Sequence, residues 1–489
     1  MRREGCSGHD ALVRVVILQA GAVDESLALC DLAGELGARG HDVSLVLEAQ
    51  EKNFAGRVRE LSPGVAFVQA AFMGERWLRR VLPMLPEGLP TVLVGTAATF
   101  DPQLVVRVGA WGALQGELDD SGPALVAAVA AGLDPVAAGV AGFVHRTEAG
   151  PRVTPWGEPP GSLDDRPLPD RALYFDRYPF LARFPWKRFS TGRGCVHSCG
   201  FCYLPGLREG YGAVKAAVRR KSVSRVIREV QAVRARWPLT HIHFADDLFA
   251  PKRAWLQELA ERFPREVGIP FSCNTSPETV TERNAVLLGI AGARVVGIGV
   301  ETATERNRNE LLGRPTKNEA IRKAASRLKA QGVRLLTFNM IANPGETVED
   351  AIATVRLNQE LGTDFPRINL AYPAPGSHLE TLMARRGIAP IAPDAHDRAD
   401  WRAWCAEGDP VPYEVLARLF RFAVRHRVPE SVLRRLMTTI PDPRWLLPMV
   451  LYDASVEMFW SGVPLREALR YGWKVGPPNR RVTYHESLP

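Results

Sequence analysis

Cysteine is scarce in this chain: of seven in 489 residues, three fall at positions 195, 199 and 202, while Cys6, Cys30, Cys273 and Cys405 stand far apart. So sparse and odd a count excludes a disulfide framework and reads as metal-site spacing in a reducing, cytoplasmic compartment. No run of 18 apolar residues occurs, so no membrane span is expected. The apolar stretch at 11–22, behind Arg2 and Arg3, is interrupted by Arg14 and reads as a strand, not a signal peptide. A basic block is missing too: the net charge of +8 comes from 62 Lys and Arg scattered among 54 Asp and Glu. That argues against a nucleic-acid partner and fits solvated surface with a mild bias toward anionic ligands.

What is present, 46% apolar and 24% charged residues, is enough for a globular protein of two or three domains. Up to about His145, short β-branched runs at 13–18, 43–47, 65–69 and 91–94 read as strands alternating with helical periods. Leu29, Leu32, Ala33 and Leu36 give the helical spacing before Gly37 and Gly40 end it. The fold class is therefore α/β, beginning with a Rossmann-like, doubly wound domain over 1–149. Residues 150–184 hold Pro155, Pro159, Pro160, Pro167 and Pro169 and read as an extended connector.

From 185 to 390 strand and helix alternate six times, with strands expected at 187–191, 240–245, 270–275, 294–299, 334–341 and 366–371. Six parallel units imply a partial (β/α) barrel. Thr316 with Glu319 and Thr347 with Asp350 have the spacing of helix capping boxes. Residues 391–489, with Trp401, Trp404, Trp445, Trp460 and Trp473, read as a helical C-terminal domain or lid.

The segment Thr191-Gly-Arg-Gly-Cys195-Val-His-Ser-Cys199-Gly-Phe-Cys202-Tyr203 places three thiols in C-x3-C-x2-C order directly after a predicted strand. Three thiolates can hold three irons of a cubane and leave the fourth open to another ligand. Zinc is the alternative, but it takes four ligands, and only His197, inside the loop, stands near. The other polar residues fall at the C-terminal ends of the predicted strands: Asp246 and Asp247, Asn274 and Thr275, Glu301, and Asn343. That rim is where a barrel keeps its active site. Each residue also has a plainer role as cap or turn. Arg219, Arg220 and Lys221 could meet an anion and read more simply as solvated surface, and Cys30 and Cys273 as small buried side chains.

The cysteine spacing, with the aromatic Phe201 before the last cysteine, resembles the signature of radical S-adenosylmethionine (SAM) enzymes. The landmarks Phe244-Ala-Asp-Asp247-Leu-Phe249, Gly299-Val-Glu301, Asn343-Pro-Gly-Glu-Thr347 and Tyr372-Pro-Ala-Pro-Gly376 resemble the cobalamin-binding members of that group. So do Val94-Gly95-Thr96-Ala-Ala-Thr99, then Gly116-Glu117, and the phrase Leu163-Asp-Asp-Arg-Pro-Leu-Pro-Asp170.

The resemblance spans roughly 11–380 and implies a [4Fe-4S] cluster on Cys195, Cys199 and Cys202. It implies SAM contacts from Phe201, Asp246, Asp247, Asn274, Thr275, Glu301 and Asn343, with both aspartates toward the SAM amine. Cobalamin contacts are implied from Gly95, Thr99, Gly116 and Glu117. No Asp-x-His-x-x-Gly occurs, so no histidine is marked as a lower cobalt ligand. The implied activity is reductive cleavage of SAM to functionalise an unactivated carbon, as C-methylation of a small-molecule or peptide-derived substrate, with flavodoxin or ferredoxin as electron donor. A cyclase, oxidase or rearrangement enzyme with the same cofactors is the alternative, and a zinc or electron-transfer protein a third. No residue is marked as the catalytic acid or base.

Overall fold

The computed structural model describes residues 12–22, 24–72, 74–212, 218–371, 374–385 and 411–448. Trp401, Trp404, Trp460 and Trp473 of the expected lid, Cys6, Cys405, Tyr372 and Pro373 lie outside them. The described residues divide into two units, one of 12–181 with 210–212, the other of 182–209 with 218–448.

In the first unit the short β-branched runs pair in parallel as β1 (Arg14–Gln19), β2 (Asp42–Leu47), β3 (Val65–Gln69), β4 (Thr91–Val94) and β5 (Gly112–Leu114). Two further strands, β6 (Phe143–Thr147) and β7 (Gly150–Val153), extend the sheet antiparallel, in the order β2-β1-β3-β4-β5-β6-β7. Val15 to Leu18 are all fully buried, as a central strand covered on both faces requires. Val16, Leu18, Val46, Val68 and Leu93 share one core with Phe54, Val58, Leu78 and Leu104 from the crossover helices. The order runs outward in both directions from β1 and β3, which makes their C-terminal ends the crevice where such sheets bind ligands.

The stretch expected as an extended connector is largely part of this unit. β7 joins the sheet, Asp170 N donates to Cys30 O at 2.8 Å, and Leu47 N donates to Tyr178 Oη at 2.8 Å. The strap passes so close to the helix Leu27–Ala38 that a Cβ on Gly34 would lie 2.5 Å from Leu168 O.

The second unit is a half-barrel. Its strands β8 (Trp186–Phe189), β11 (His241–Phe244), β12 (Phe271–Thr275), β13 (Ala293–Glu301), β14 (Arg334–Ile341) and β15 (Phe365–Leu370) are all parallel, in the order β15-β14-β13-β12-β11-β8. Between β8 and β11 a two-residue antiparallel ladder, β9 (Gly192–Arg193) with β10 (Arg219–Arg220), closes the neck of the cysteine loop. Alternation sets the faces: Phe189, Ile242, Phe244, Phe271, Cys273, Val296 and Ile298 are buried outward among Val226, Leu259, Phe263 and Leu328 of the helices. Each large side chain there contributes about 2–3 kcal/mol of burial.

The helix Val348–Leu361 begins on the expected capping box: Asp350 N donates to Thr347 Oγ1 at 3.2 Å and Thr347 N to Asp350 Oδ2 at 3.0 Å. Thr316 is no cap, because its hydroxyl bonds Glu278 and the helix Asn318–Ala330 starts one residue later than that box requires. The helices Val411–Arg425 and Glu430–Thr439 bury Leu416, Leu419, Phe420 and Leu433 with Ile341, Ile352 and Val355 in one core. They therefore extend the half-barrel unit, where a separate C-terminal domain was expected. Among the described residues no helix is long and apolar enough to cross a membrane.

Candidate functional site

The cysteine loop leaves β8 at the C-terminal rim of the half-barrel and is held by backbone and by charge. Gly200 N donates to Leu312 O at 2.8 Å and Leu379 N donates to Gly200 O at 2.6 Å, pinning the middle of the loop from two sides. Gly313, at φ +58, lets the neighbouring turn come within 3.2 Å of Ser198 O, measured from where its Cβ would stand. Phe201 packs against Leu311, Leu312, Met340 and Leu379. Arg208, on the helix Leu204–Gly210, reaches back: its guanidinium donates to Cys195 O at 2.5 Å, His197 O at 2.8 Å and Ser198 Oγ at 2.8 Å. His197 N donates to Cys195 Sγ and Leu204 N to Cys202 Sγ, each at 3.5 Å.

Burial raises the pKa of all three thiols, to about 11 at Cys199 and about 12 at Cys202. The charge of Asp247 adds to the rise at Cys195 and Cys202, while that of Arg314 opposes it at Cys195 and Cys199. Three desolvated thiols held open by backbone are costly to ionise alone and suit a polycationic centre that ionises them on binding. Among the described residues no three His, Cys, Asp or Glu side chains converge on a point that one metal ion could occupy.

The other rim residues divide by what their side chains already hold. Asp246, expected at the SAM amine, is turned into the strand ends: it is buried and accepts from Thr191 N at 3.1 Å and Thr191 Oγ1 at 2.7 Å, with Arg220 at 3.7 Å. It ties β11 to β8, and Asp247 is the aspartate whose charge reaches the cysteines. Arg220 and Lys221 are likewise not the solvated surface expected. Arg220 donates to Thr191 Oγ1 at 2.6 Å and Leu248 O at 2.9 Å, and buried Lys221 donates to Glu229 at 2.8 Å. Thr275 Oγ1 donates to Phe249 O at 3.2 Å, and half-buried Asn274 faces inward beside Gly297.

Glu301 is buried and accepts from Arg314 at 2.8 Å; burial raises its pKa and Arg314 counteracts that. Asn343 N and Nδ2 donate to Glu346 Oε2 at 3.0 and 3.2 Å. Two non-glycine residues with positive φ, Glu301 (60°) and Ala342 (60°), stand at the ends of β13 and β14, and a third, Ala250 (47°), in the loop after β11. Such backbone strain gathers at functional sites. Sequence reasoning missed Arg208, Arg314 and Glu346, and also Arg308, whose fully buried guanidinium holds Val300 O at 3.0 Å and Thr316 O at 2.6 Å and so shapes the turn carrying Arg314.

In the first unit the expected residues come together at the C-terminal ends of β4 and β5. Thr99 Oγ1 donates to Gly95 O at 2.9 Å and accepts from Gly116 N at 3.2 Å, while Gln115 Nε2 donates to Thr99 O at 2.7 Å. Gly95 has φ +107 and Gly116 φ +78, conformations open to glycine. Glu117 N donates to Tyr211 Oη at 2.7 Å, and Trp156 Nε1 to Gln115 Oε1 at 3.0 Å.

Residues 189–357, from the end of β8 into the helix after β14, match the radical SAM superfamily. The half-barrel unit carries a radical SAM domain. An uncharacterized methyltransferase of Pyrococcus horikoshii is 26% identical over 388 residues, covering 76% of this chain and 80% of that protein. Among solved structures, the radical SAM methyltransferase TsrM from Kitasatospora setae with cobalamin and a [4Fe-4S] cluster bound superposes with a TM-score of 0.63 at 17% identity, covering 88% of this chain and 100% of that chain. TsrM has also been solved with its tryptophan substrate and a SAM analogue. OxsB, a cobalamin-dependent SAM radical enzyme, gives a TM-score of 0.65 at 13% identity, covering 88% of this chain and 70% of that chain. At these identities the structural likeness is one of fold, and it extends beyond the radical SAM domain into the first unit.

Proposed function

We propose that this chain is a cobalamin-dependent radical SAM methyltransferase that carries a [4Fe-4S] cluster on Cys195, Cys199 and Cys202 and methylates an unactivated carbon of a small molecule. The observation that carries the reading is the loop itself: three desolvated thiols in C-x3-C-x2-C order, braced by Arg208 and pinned at Gly200. When bound, the cluster and SAM supply reductive cleavage of a sulfur–carbon bond, and cobalamin supplies the methyl group.

The chain's own part is to bind and orient. Asp247, Asn274, Glu301 and Asn343 line the SAM side of the rim, Phe201 backs the loop, and Asp246 and Thr275 act as positioning residues through Thr191 and Phe249. Gly95, Thr99, Gly116 and Glu117 form the corrinoid-facing edge of the first unit in this reading, with positive φ at both glycines setting the turns of its loops. The names of the Pyrococcus and Kitasatospora proteins support methyl transfer, and tryptophan in the latter supports a small-molecule substrate. The electron donor belongs to the flavodoxin or ferredoxin class.

A second reading is chemistry on the same cofactors without net methyl transfer: OxsB, a cobalamin-dependent SAM radical enzyme, matches the fold as well. Anaerobic protein reconstituted with iron, sulfide and hydroxocobalamin decides between them. Bound corrinoid, and a product heavier than substrate by one methylene with two SAM consumed, support the methyltransferase. Bound cluster without corrinoid sinks it, and a product with no added methylene favours the second reading.

A further inference from the structure

Closed barrels pack branched apolar side chains on their inner face. In this half-barrel β11 and β12 present His243, Ser272 and Asn274 there, all half-buried, while Phe244 and Cys273 are buried outward among the helices. His243 and Ser272 are register partners, and one hydroxyl serves two rings: His243 Nδ1 lies 2.9 Å and His241 Nε2 3.1 Å from Ser272 Oγ. Trp186 stacks on His241 with centroids 4.2 Å apart, which fixes the rear ring. Burial, reinforced by the charges of Arg188, His241 and Arg367, holds His243 at about 3, and burial with Arg334 holds His241 at about 4. Neither ring takes up a proton near pH 7, so the pair is no proton store. The hydroxyl carries one proton: where Ser272 donates to one ring, the other ring must donate to Ser272. The far nitrogen of His243, Nε2, is therefore an acceptor in one arrangement and a donor in the other.

Nε2 of His243 has no hydrogen bond among the described residues, and neither has the side-chain amide of Asn274, two residues beyond Ser272 along β12 toward the rim. The guanidiniums of Arg188, Arg334 and Arg367 have partners of their own, and Arg334 lies over the ring of Phe365 at 5.1 Å. The open hydrogen-bonding positions on β11 and β12 are thus uncharged ones, and they match a neutral group that can both donate and accept. We propose that His243 is a substrate-binding residue whose Nε2 hydrogen-bonds an uncharged hydroxyl of the substrate inside the half-barrel. This deepens, and rests on, the reading of the chain as a radical SAM enzyme acting on a small molecule. His243 lies one layer below Asn274, which that reading gives to SAM, so the hydroxyl is held on the barrel side of SAM. Ser272 and His241 act behind it as positioning residues.

The test is a ligand-observed NMR titration of the reconstituted full chain with three probes: phenol, its hydroxyl-free shape mate fluorobenzene, and benzoate as the anion. Phenol should bind the wild type saturably and roughly tenfold more tightly than fluorobenzene. The preference should vanish in His243→Phe and survive in part in His243→Gln, whose amide both donates and accepts. Ser272→Ala keeps His243 but frees both rings, and should cut the preference severalfold; it decides the matter where His243→Phe does not fold. No preference for phenol in the wild type, tightest binding by benzoate, or a preference untouched by His243→Phe or by Ser272→Ala overturns the proposal. SAM cleavage by the same wild-type preparation separates the two layers: cleavage without a phenol preference removes only this inference, and a His243-dependent preference without cleavage removes only the radical SAM reading.

Discussion

Replacing Glu346 by Gln should stabilise the half-barrel unit at alkaline pH and leave it nearly unchanged at acid pH. Glu346 is 8% exposed, accepts from Asn343 N, Asn343 Nδ2 and Thr302 Oγ1, and has its pKa pushed by burial from 4.5 up to about 8 in spite of those bonds. Below the ordinary value of 4.5 both folded and unfolded chains hold the proton. Between 4.5 and about 8 the unfolded chain releases it and the native chain does not, so stability falls as pH rises, and above about 8 the fall is complete. At about 1.4 kcal/mol per pH unit the loss reaches about 4–5 kcal/mol. Glutamine cannot ionise, and its amide can donate to Asn343 Oδ1, which is buried without a partner. Urea unfolding of the apo-protein at acid, neutral and alkaline pH, read as the difference between variant and wild type, should show a gap near zero at pH about 5 that opens to about 3–5 kcal/mol in favour of the variant by pH about 8.5. A variant less stable by the same amount at every pH would refute the reasoning.

Arg208→Gln removes charge-assisted bonds to Cys195 O, His197 O and Ser198 Oγ and should cost about 2–4 kcal/mol of loop order; iron and sulfide retained after reconstitution should drop well below wild type, and full retention would contradict the role given to Arg208. Gly299→Ala places a Cβ against Glu301 Oε1 and Arg314 Nη1, so the pair must separate. About 1–3 kcal/mol of stability should be lost, with weaker SAM binding, as read by thermal melts and SAM titration. Thr347→Ala breaks the capping box of the helix Val348–Leu361 and should cost about 1 kcal/mol in chemical unfolding, with cluster content unchanged.

Much of the fold was legible because apolar periodicity is local. β3, β4 and β14 begin and end where the β-branched runs do. β5 was missed because three residues, Gly112 to Leu114, carry no such run, and β7 because Gly150 and Pro151 look like a connector until β6 pairs with them. The cysteine loop and the rim were legible because a parallel barrel puts strand ends on one side. What those side chains do there was not. The hold of Thr191 on Asp246 was not legible, and Thr316 was misread as a cap, because the partners Thr191 and Glu278 lie 55 and 38 residues away. Arg208, Arg308 and Arg314 act through long side chains on backbone carbonyls or a carboxylate that only the folded loop brings near, and no short motif marks them. The basic run at 219–221 looked like surface because nothing in the sequence announces that Thr191, Leu248 and Glu229 will enclose it.

The claim on which the rest depends is that Cys195, Cys199 and Cys202 carry a [4Fe-4S] cluster that cleaves SAM. Its most direct test is anaerobic reconstitution of wild type and Cys199→Ala with iron and sulfide, followed by SAM and dithionite. A cluster absorption band, iron and sulfide in equal amounts, and 5′-deoxyadenosine formed by the wild type alone are the predicted result. Zinc bound in place of iron, or SAM turnover equal in the two proteins, would contradict it.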